Sequence, residues 1–194
     1  MRAAWRNVVA FGAAIAVAAA CSAPASGTLS TQLVDGGSIT ARSTLTFTIP
    51  SRGLSLTCTI YFFGTLSNGV YPVPLAAGNL VQVGEIDRYP EDGACSGGSI
   101  LAPWLLPWRI GIGPDFLAPR YTHRLLGVAF ILGGAISCGV RGGLQFVYDN
   151  AGGAIVSGQL VGAGVPSTTC PMGLAVGVRG SLTLRSSAGT PTYS

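Results

Sequence analysis

The only histidine of this sequence, His123, is the side chain best suited to act as a general base near neutral pH. It lies in the segment Arg120-Tyr121-Thr122-His123-Arg124. A serine hydrolase needs such a base together with an orienting acid and a nucleophile. The sequence contains neither a G-x-S-x-G nucleophile elbow nor an HExxH zinc motif. A lone histidine between two arginines is typical of a solvated loop, so we expect no catalytic residue and no enzyme.

Carboxylates are concentrated in one short stretch. Paired carboxylates can perform glycosidase chemistry, and several together can bind calcium. The spacing fits no EF-hand loop, and Pro90 interrupts the run. We therefore favour a solvated acidic loop, with no metal site and no cofactor. The four acids are Glu85, Asp87, Glu91 and Asp92.

The cysteines indicate a disulfide framework. The sequence has five, Cys21, Cys58, Cys95, Cys138 and Cys170, and four remain if Cys21 is removed or acylated. An even number in an exported chain implies two disulfides. Of the three connectivities we favour Cys58–Cys95 with Cys138–Cys170, because each pair closes a loop of similar length. Zinc is disfavoured, since the sequence has no CxxC motif.

The first residues resemble an export signal. Arg2 and Arg6 precede an uncharged run from Val8 to Ala20, and small residues follow. This order is typical of a secretory signal peptide over residues 1–25, with an uncleaved anchor as the alternative. Cleavage directly before Cys21 would give a lipoprotein with a lipid on that cysteine, whereas later cleavage would remove it. We expect the protein to be secreted or in the cell envelope.

The segment Pro103–Arg109 carries an aromatic cluster. Its two prolines exclude an ordinary helix interior. If exposed, Trp104, Leu106 and Trp108 would form an apolar patch able to bind a hydrophobic ligand. The alternative is that both tryptophans pack in the core.

The composition excludes several classes of protein. Of 194 residues, 48% are apolar and only 9% are charged, whereas ordinary domains have about 25% charged residues. The 29 glycines have no three-residue period, which excludes collagen. The arginines are dispersed along the chain, so we expect no nucleic-acid partner.

Alternating polar and apolar residues predict the fold. Leu45–Ile49 and Leu54–Phe62 have a period of two, which is typical of strands with one buried face and places Cys58 on the apolar side. Asn68-Gly69 suggests a tight hairpin turn. Many short strands and regular turns predict an all-β fold, a single-domain antiparallel sandwich or barrel with two disulfides.

One apolar segment, Leu125–Val140, has no charged residue and could be a membrane helix or a buried hairpin. It is short for a membrane span, which needs about 20 residues, so we favour a hairpin that turns at Gly133-Gly134. The predicted organisation is a signal (1–25), a linker with the first strand (26–43), a β domain (44–186) and a disordered C-terminal tail (187–194).

The order of several short motifs resembles a known family. Cys58-Thr59, Cys95-Ser96, Leu106-Pro107-Trp108, Cys138-Gly139 and a Cys170 before Gly180–Leu184 follow one another. This order resembles small exported bacterial proteins described as activators of alkane oxidation (PraB-like) and related actinobacterial secreted proteins. The resemblance implies an exported, disulfide-bonded, non-enzymatic β protein, and it transfers no catalytic residue.

Two hypotheses for the function follow. The first is an exported structural or interaction protein of the bacterial cell envelope that aids hydrocarbon use. The alternative is a small β-barrel binding module for an alkane, a fatty acid or a lipid. The expected partners are a hydrophobic small molecule, cell-surface components or further copies of the chain. Contact with a membrane would come only through the signal or a lipid on Cys21.

Overall fold

The structure, a computed structural model, describes residues 29–194 except 75, 77, 92, 135, 136 and 164–169. The predicted signal and Cys21 therefore lie outside the described residues. The strands are β1 (Ser30–Val34), β2 (Gly37–Ile49), β3 (Leu54–Leu66), β4 (Gly69–Pro72), β5 (Val81–Arg88), β6 (Gly93–Cys95), β7 (Ile100–Trp104), β8 (Trp108–Leu117), β9 (Arg120–Gly133), β10 (Cys138–Tyr148), β11 (Gly153–Gly162), β12 (Ala175–Ser186) and β13 (Thr192–Tyr193).

Eight strands close into a ring. β2, β3, β5, β8, β9, β10, β11 and β12 pair antiparallel in chain order, and β12 pairs with β2 to complete the circle. β6 and β7 bridge the other halves of β3 and β9. The predicted all-β antiparallel fold is confirmed, and it takes the form of an up-and-down barrel.

The predicted alternation determines which side chains point into the barrel. On β2 and β3, Leu45 lies opposite Cys58, and both are buried. The next pair along, Thr46 and Thr57, points outward, and their hydroxyl oxygens are 3.0 Å apart. Because side chains alternate between the two faces of a strand, the same pattern provides both an apolar interior and a polar exterior.

The apolar segment Leu125–Val140 forms a hairpin, as we favoured. β9 and β10 pair over their whole length, and Gly134 at the turn has a φ of 105°. In the described part of the chain, no helix has the length and apolar character needed to cross a membrane.

Glycines allow the strands to approach closely where the small barrel curves. A Cβ added at Gly64 would lie 2.0 Å from the Glu85 carbonyl oxygen, and one at Gly180 would lie 2.1 Å from that of Thr44. Real Cβ atoms do not approach backbone atoms this closely, so both positions require glycine.

The two ends of the barrel differ, and one of them is covalently fastened. At the crosslinked end, where β2 finishes at Ile49 and β3 starts at Leu54, the structure contains both disulfides. Cys58 pairs with Cys95, and Cys138 pairs with Cys170, which confirms the favoured connectivity. Disulfides persist in oxidising compartments, so these two bonds are consistent with an extracytoplasmic location.

The capped end, where β2 begins at Gly37 and β3 finishes at Leu66, is covered by a second sheet. β1 lies in the middle of this sheet, between β13 and β4, and Leu33 faces Tyr193 across one pair. Both side chains are buried, so the small sheet adds apolar side chains to the core of the barrel.

Three sequence expectations differ from the structure here. Residues 187–194 are not a disordered tail, because Tyr193 is buried and pairs in β13. The expected boundary between 43 and 44 falls inside β2, whose alternation starts earlier, with buried Ile39. Asn68-Gly69 does not form a hairpin turn: β4 pairs with β1, and the Asn68 side chain accepts a hydrogen bond from the Gly36 amide at 2.7 Å.

Candidate functional site in the barrel interior

A cavity of about 40 Å³ lies inside the ring, and each of the eight ring strands contributes to its wall. Only Ser43 and His123 are polar among the described residues that line it. A water needs about 10–15 Å³ of such space, and a cavity of about 150 Å³ binds benzene. The cavity therefore has the size for a guest of a few atoms, and a longer guest requires wall side chains to move.

An aromatic layer bounds the cavity toward the crosslinked end. The ring of Trp108 packs against those of Phe62 and Phe130, with centroid distances of 5.4 and 4.9 Å. Phe47 contacts Phe130 edge-on from the far side at 5.4 Å. The Trp108 indole nitrogen donates to the Trp104 carbonyl oxygen at 3.0 Å, so this buried donor is satisfied.

The predicted aromatic patch does not form one surface. Trp108 is fully buried and lines the cavity, whereas Trp104 and Leu106 are half-buried and do not. Leu105, which lies between these two residues, is 53% exposed. Of the three candidate binding residues, only Trp108 therefore contributes to an interior site.

The opposite boundary is formed by His123 and its aromatic neighbours. The imidazole stacks on the ring of Phe146 at 4.5 Å and meets the ring of Phe116 edge-on at 5.2 Å. Tyr193 from β13 covers it, with ring centroids 5.1 Å apart. The expectation that His123 is a solvated loop residue is therefore not met: it points inward from β9 and is 2% exposed.

Both nitrogens of His123 are occupied. Nδ1 faces the Tyr121 carbonyl oxygen at 3.2 Å, so it carries the proton and donates. Nε2 is then the acceptor for the Tyr193 hydroxyl at 2.6 Å. Burial lowers the pKa of His123 to about 3, and the Tyr121 carbonyl opposes this shift only in part. Because neither partner is a carboxylate, the described contacts of His123 do not form a hydrolase triad.

The second polar residue of the cavity is satisfied in the same way. The Ser43 hydroxyl donates to the Ser181 carbonyl oxygen at 3.1 Å and is buried. A buried polar group with a partner inside the protein has little to offer a ligand. The cavity wall therefore contacts a guest almost entirely through carbon atoms.

The expectation of a solvated acidic loop is met only in part, because two of the four acids lie on a strand. Glu85 and Asp87 are half-buried on β5, Glu91 is exposed, and Asp92 lies outside the described residues. Asp87 pairs with its neighbour Arg88 at 3.3 Å. Over the described residues, no group of three or more His, Cys, Asp or Glu side chains could hold a metal ion.

Sequence reasoning missed the closing residue of the site, Tyr193. A usable signal was present on β9, where Tyr121 and His123 alternate with Thr122 and Arg124. This pattern puts a titratable ring on an apolar face, and a buried polar ring needs a hydrogen-bond partner inside the protein. Nothing in the sequence indicated that the partner comes from a segment 70 residues away.

No protein-family model, curated protein or solved structure matches this chain. The interpretation of the cavity therefore depends on its own geometry.

Proposed function

We propose that this protein is an exported, non-enzymatic binding module that holds a small apolar molecule inside its barrel. The observation that carries the proposal is the cavity between Trp108 and His123, whose wall is almost wholly hydrocarbon. Eight-stranded barrels are wide enough either to fill with side chains or to hold one small ligand. An apolar cavity favours an apolar guest through the hydrophobic effect.

The chemistry of the wall selects an uncharged ligand. Among the described residues that line the cavity, none is Arg, Asp or Glu, and both polar side chains have partners within the protein. A fatty-acid carboxylate would lose its hydration there without a compensating charge, which is costly. Of the ligands considered, an alkane or a similarly slender hydrocarbon fits best.

The setting we propose is outside the cytoplasm. The disulfides support it, and the signal-like residues 1–25 add a route of export. Whether the protein is free or held by a lipid on Cys21, it would meet hydrocarbons before they enter the cell. Such a role agrees with the resemblance to proteins that promote alkane oxidation.

Xenon provides a direct test, since it binds apolar cavities. In a Trp5→Phe/Trp104→Phe background, Trp108 is the single tryptophan. We expect saturable quenching of Trp108 fluorescence by xenon, a bound signal in ¹²⁹Xe NMR, and competition by propane and hexane.

A filling variant supplies the matched control. Ala41→Ile adds carbon atoms at the cavity wall and should abolish xenon binding. Thr40→Ile adds bulk at the adjacent, exposed position of β2 and should leave binding unchanged. Equal quenching in both variants, or none in the parent protein, would exclude the cavity as a binding site.

A structural or interaction role in the envelope is the second candidate. Its support is the small volume of the cavity together with exposed apolar side chains, among them Ile155 at 72% and Val70 at 66%. Low charge also favours self-association. Sedimentation velocity over a range of concentrations should then show growing species, with no response of Trp108 to hydrocarbons.

A further inference from the structure

The segment 191–194 at the capped end is held by polar side chains of the barrel on one side and by β1 on the other. The Tyr193 carbonyl oxygen accepts from Tyr121 Oη at 3.0 Å and from Asn150 Nδ2 at 2.9 Å. The Tyr193 amide donates back to Asn150 Oδ1 at 2.9 Å. The Tyr148 hydroxyl donates to the Pro191 carbonyl oxygen. Three barrel side chains thus make four hydrogen bonds to the main chain of this segment.

The attachment of this segment to β1 is short. The Gln32 and Ser194 amides exchange main-chain hydrogen bonds at 2.9 and 3.1 Å, and Thr31 Oγ1 adds one to the Ser194 main-chain oxygen at 3.2 Å. The ladder between β1 and β13 contains only two residue pairs. Every pairing between ring strands contains at least four residue pairs, so detaching β13 breaks less of the main-chain ladder than detaching any ring strand, although the side-chain bonds to Pro191 and Tyr193 must break as well.

Tyr193 also lies against His123 at the capped end. His123 lines the cavity, and the Tyr193 ring and hydroxyl cover it from the side of β13. At the opposite end, the disulfides tie β3 to β6 and tie β10 to Cys170, which lies before β12, so these described pieces of chain are held covalently. Access to the cavity by a small local opening is therefore simplest at the capped end.

We propose that β13 is the gate of the cavity and that the hydrogen bond between His123 and Tyr193 is its latch, which acid releases. This inference depends on the proposed function for its purpose, since a gate serves a cavity that takes up a guest. It goes beyond that function by assigning a route and a condition for uptake and release.

The acid response follows from the surroundings of the imidazole. The described partners of His123 are all uncharged, so none of them stabilises a protonated ring. In the closed state its pKa is about 3, whereas a solvated histidine has a pKa near 6.5. Below about pH 6.5, His123 therefore takes up a proton when β13 is open, but it stays neutral when β13 is closed. The groups facing His123 are Phe116, Tyr121, Phe146, Tyr148 and Tyr193.

Amide hydrogen exchange can measure the gate directly. The protection of the Tyr193 and Ser194 amides should fall about 30-fold between about pH 7.5 and about pH 5, from the two pKa values. The Cys95 amide, bonded to the Ser99 carbonyl oxygen at the crosslinked end, should keep its protection. The exchange rate of bound xenon, from ¹²⁹Xe saturation transfer, should rise by a similar factor.

Three variants distinguish release of the hydrogen bond between His123 and Tyr193 from a general loss of stability at the capped end. His123→Gln cannot titrate and should remove the pH dependence of Tyr193 protection. Tyr193→Phe keeps the ring and loses the latch hydroxyl, so in this variant the amides of residues 193 and 194 should exchange faster at every pH. Tyr61→Phe, on the outer face of β3, should behave like the parent protein.

The outcomes distinguish the two proposals. Xenon that binds but exchanges at a rate independent of pH, or of Tyr193→Phe, would overturn the gate and leave the binding function intact. Acid-dependent opening of β13 with no xenon bound at any pH would overturn the binding function and support the latch alone. If the protection of the Tyr193 amide proved independent of pH, the proposal that the hydrogen bond between His123 and Tyr193 is an acid-released latch would be overturned.

Discussion

The two ends of the barrel are closed by different chemistry. At the crosslinked end, two disulfides join neighbouring pieces of chain covalently. At the capped end, a buried network around His123 and Tyr193 does the same with hydrogen bonds and aromatic contacts. A covalent bond holds through every native fluctuation, whereas hydrogen bonds can open one at a time. One ring of strands therefore has a fixed end and a breakable end.

The two ends also differ in where the buried titratable rings lie. His123, Tyr148 and Tyr193 are all at the capped end, whereas the boundary toward the crosslinked end is formed by Phe47, Phe62 and other apolar rings. Burial raises the pKa of Tyr193 above its usual range and that of Tyr148 to about 12. The described groups whose pKa values burial shifts are thus concentrated at the breakable end, and cystines, which do not titrate, fasten the other.

The largest effect should come from removing the central ring of the capped end. Tyr193→Ala deletes a buried aromatic side chain, which costs roughly 3–5 kcal/mol, and leaves Nε2 of His123 without its donor. We expect the free energy of unfolding to fall by about 5 kcal/mol in urea titrations followed by Trp108 fluorescence.

The half-exposed Tyr89 provides the control, since Tyr89→Ala should change the stability by less than about 0.5 kcal/mol. A loss of global stability much smaller than expected for Tyr193→Ala would mean that β13 already opens at low cost. In that case the two ends differ even more than the contacts suggest.

Removing one crosslink should have the next largest effect. Cys58→Ala/Cys95→Ala opens a loop of 37 residues, and the chain-entropy relation gives a loss of about 4 kcal/mol. Thermal unfolding followed by circular dichroism would measure it. The Cys138→Ala/Cys170→Ala variant, with a separation of 32 residues, should lose nearly the same amount. A much larger loss for one pair would show that its packing, rather than loop closure, dominates.

The sequence predicted the crosslinked end better than the capped end. Period-two alternation at Leu45–Ile49 and Leu54–Phe62 gave the strands, and loop lengths favoured the correct cysteine pairing. The capped end depends on β1 and β13, which are far apart in the chain and short. Local patterns contain no information about such a pairing, and on their own they predict a disordered tail at Tyr193 and a solvated loop at His123.

The pH dependence of the free energy of unfolding should report the contribution of His123, at the capped end. The pKa of His123 is lowered in the folded state, so the stability it supports is complete above about pH 6.5 and declines as the pH falls toward 3. The expected loss is about 2 kcal/mol between about pH 7 and about pH 5. Urea titrations at the two pH values would measure it, and His123→Gln should flatten the slope. A slope unchanged by that variant would assign the acid sensitivity to other groups.

The smallest predicted effect tests whether the network at the capped end tolerates the loss of one hydrogen bond. The Tyr193 carbonyl oxygen accepts two hydrogen bonds, from Tyr121 and from Asn150. Tyr121→Phe removes one of them, and the acceptor stays satisfied by the other, so the stability should fall by only about 1 kcal/mol. Asn150→Ala removes the second acceptor bond together with the partner of the Tyr193 amide, so it should cost more. If Tyr121→Phe proved as costly as Asn150→Ala in urea titrations, the hydrogen bonds of the cap would act as one cooperative unit. β13 could then not open bond by bond, and the contrast between the two ends would lie in covalent linkage alone.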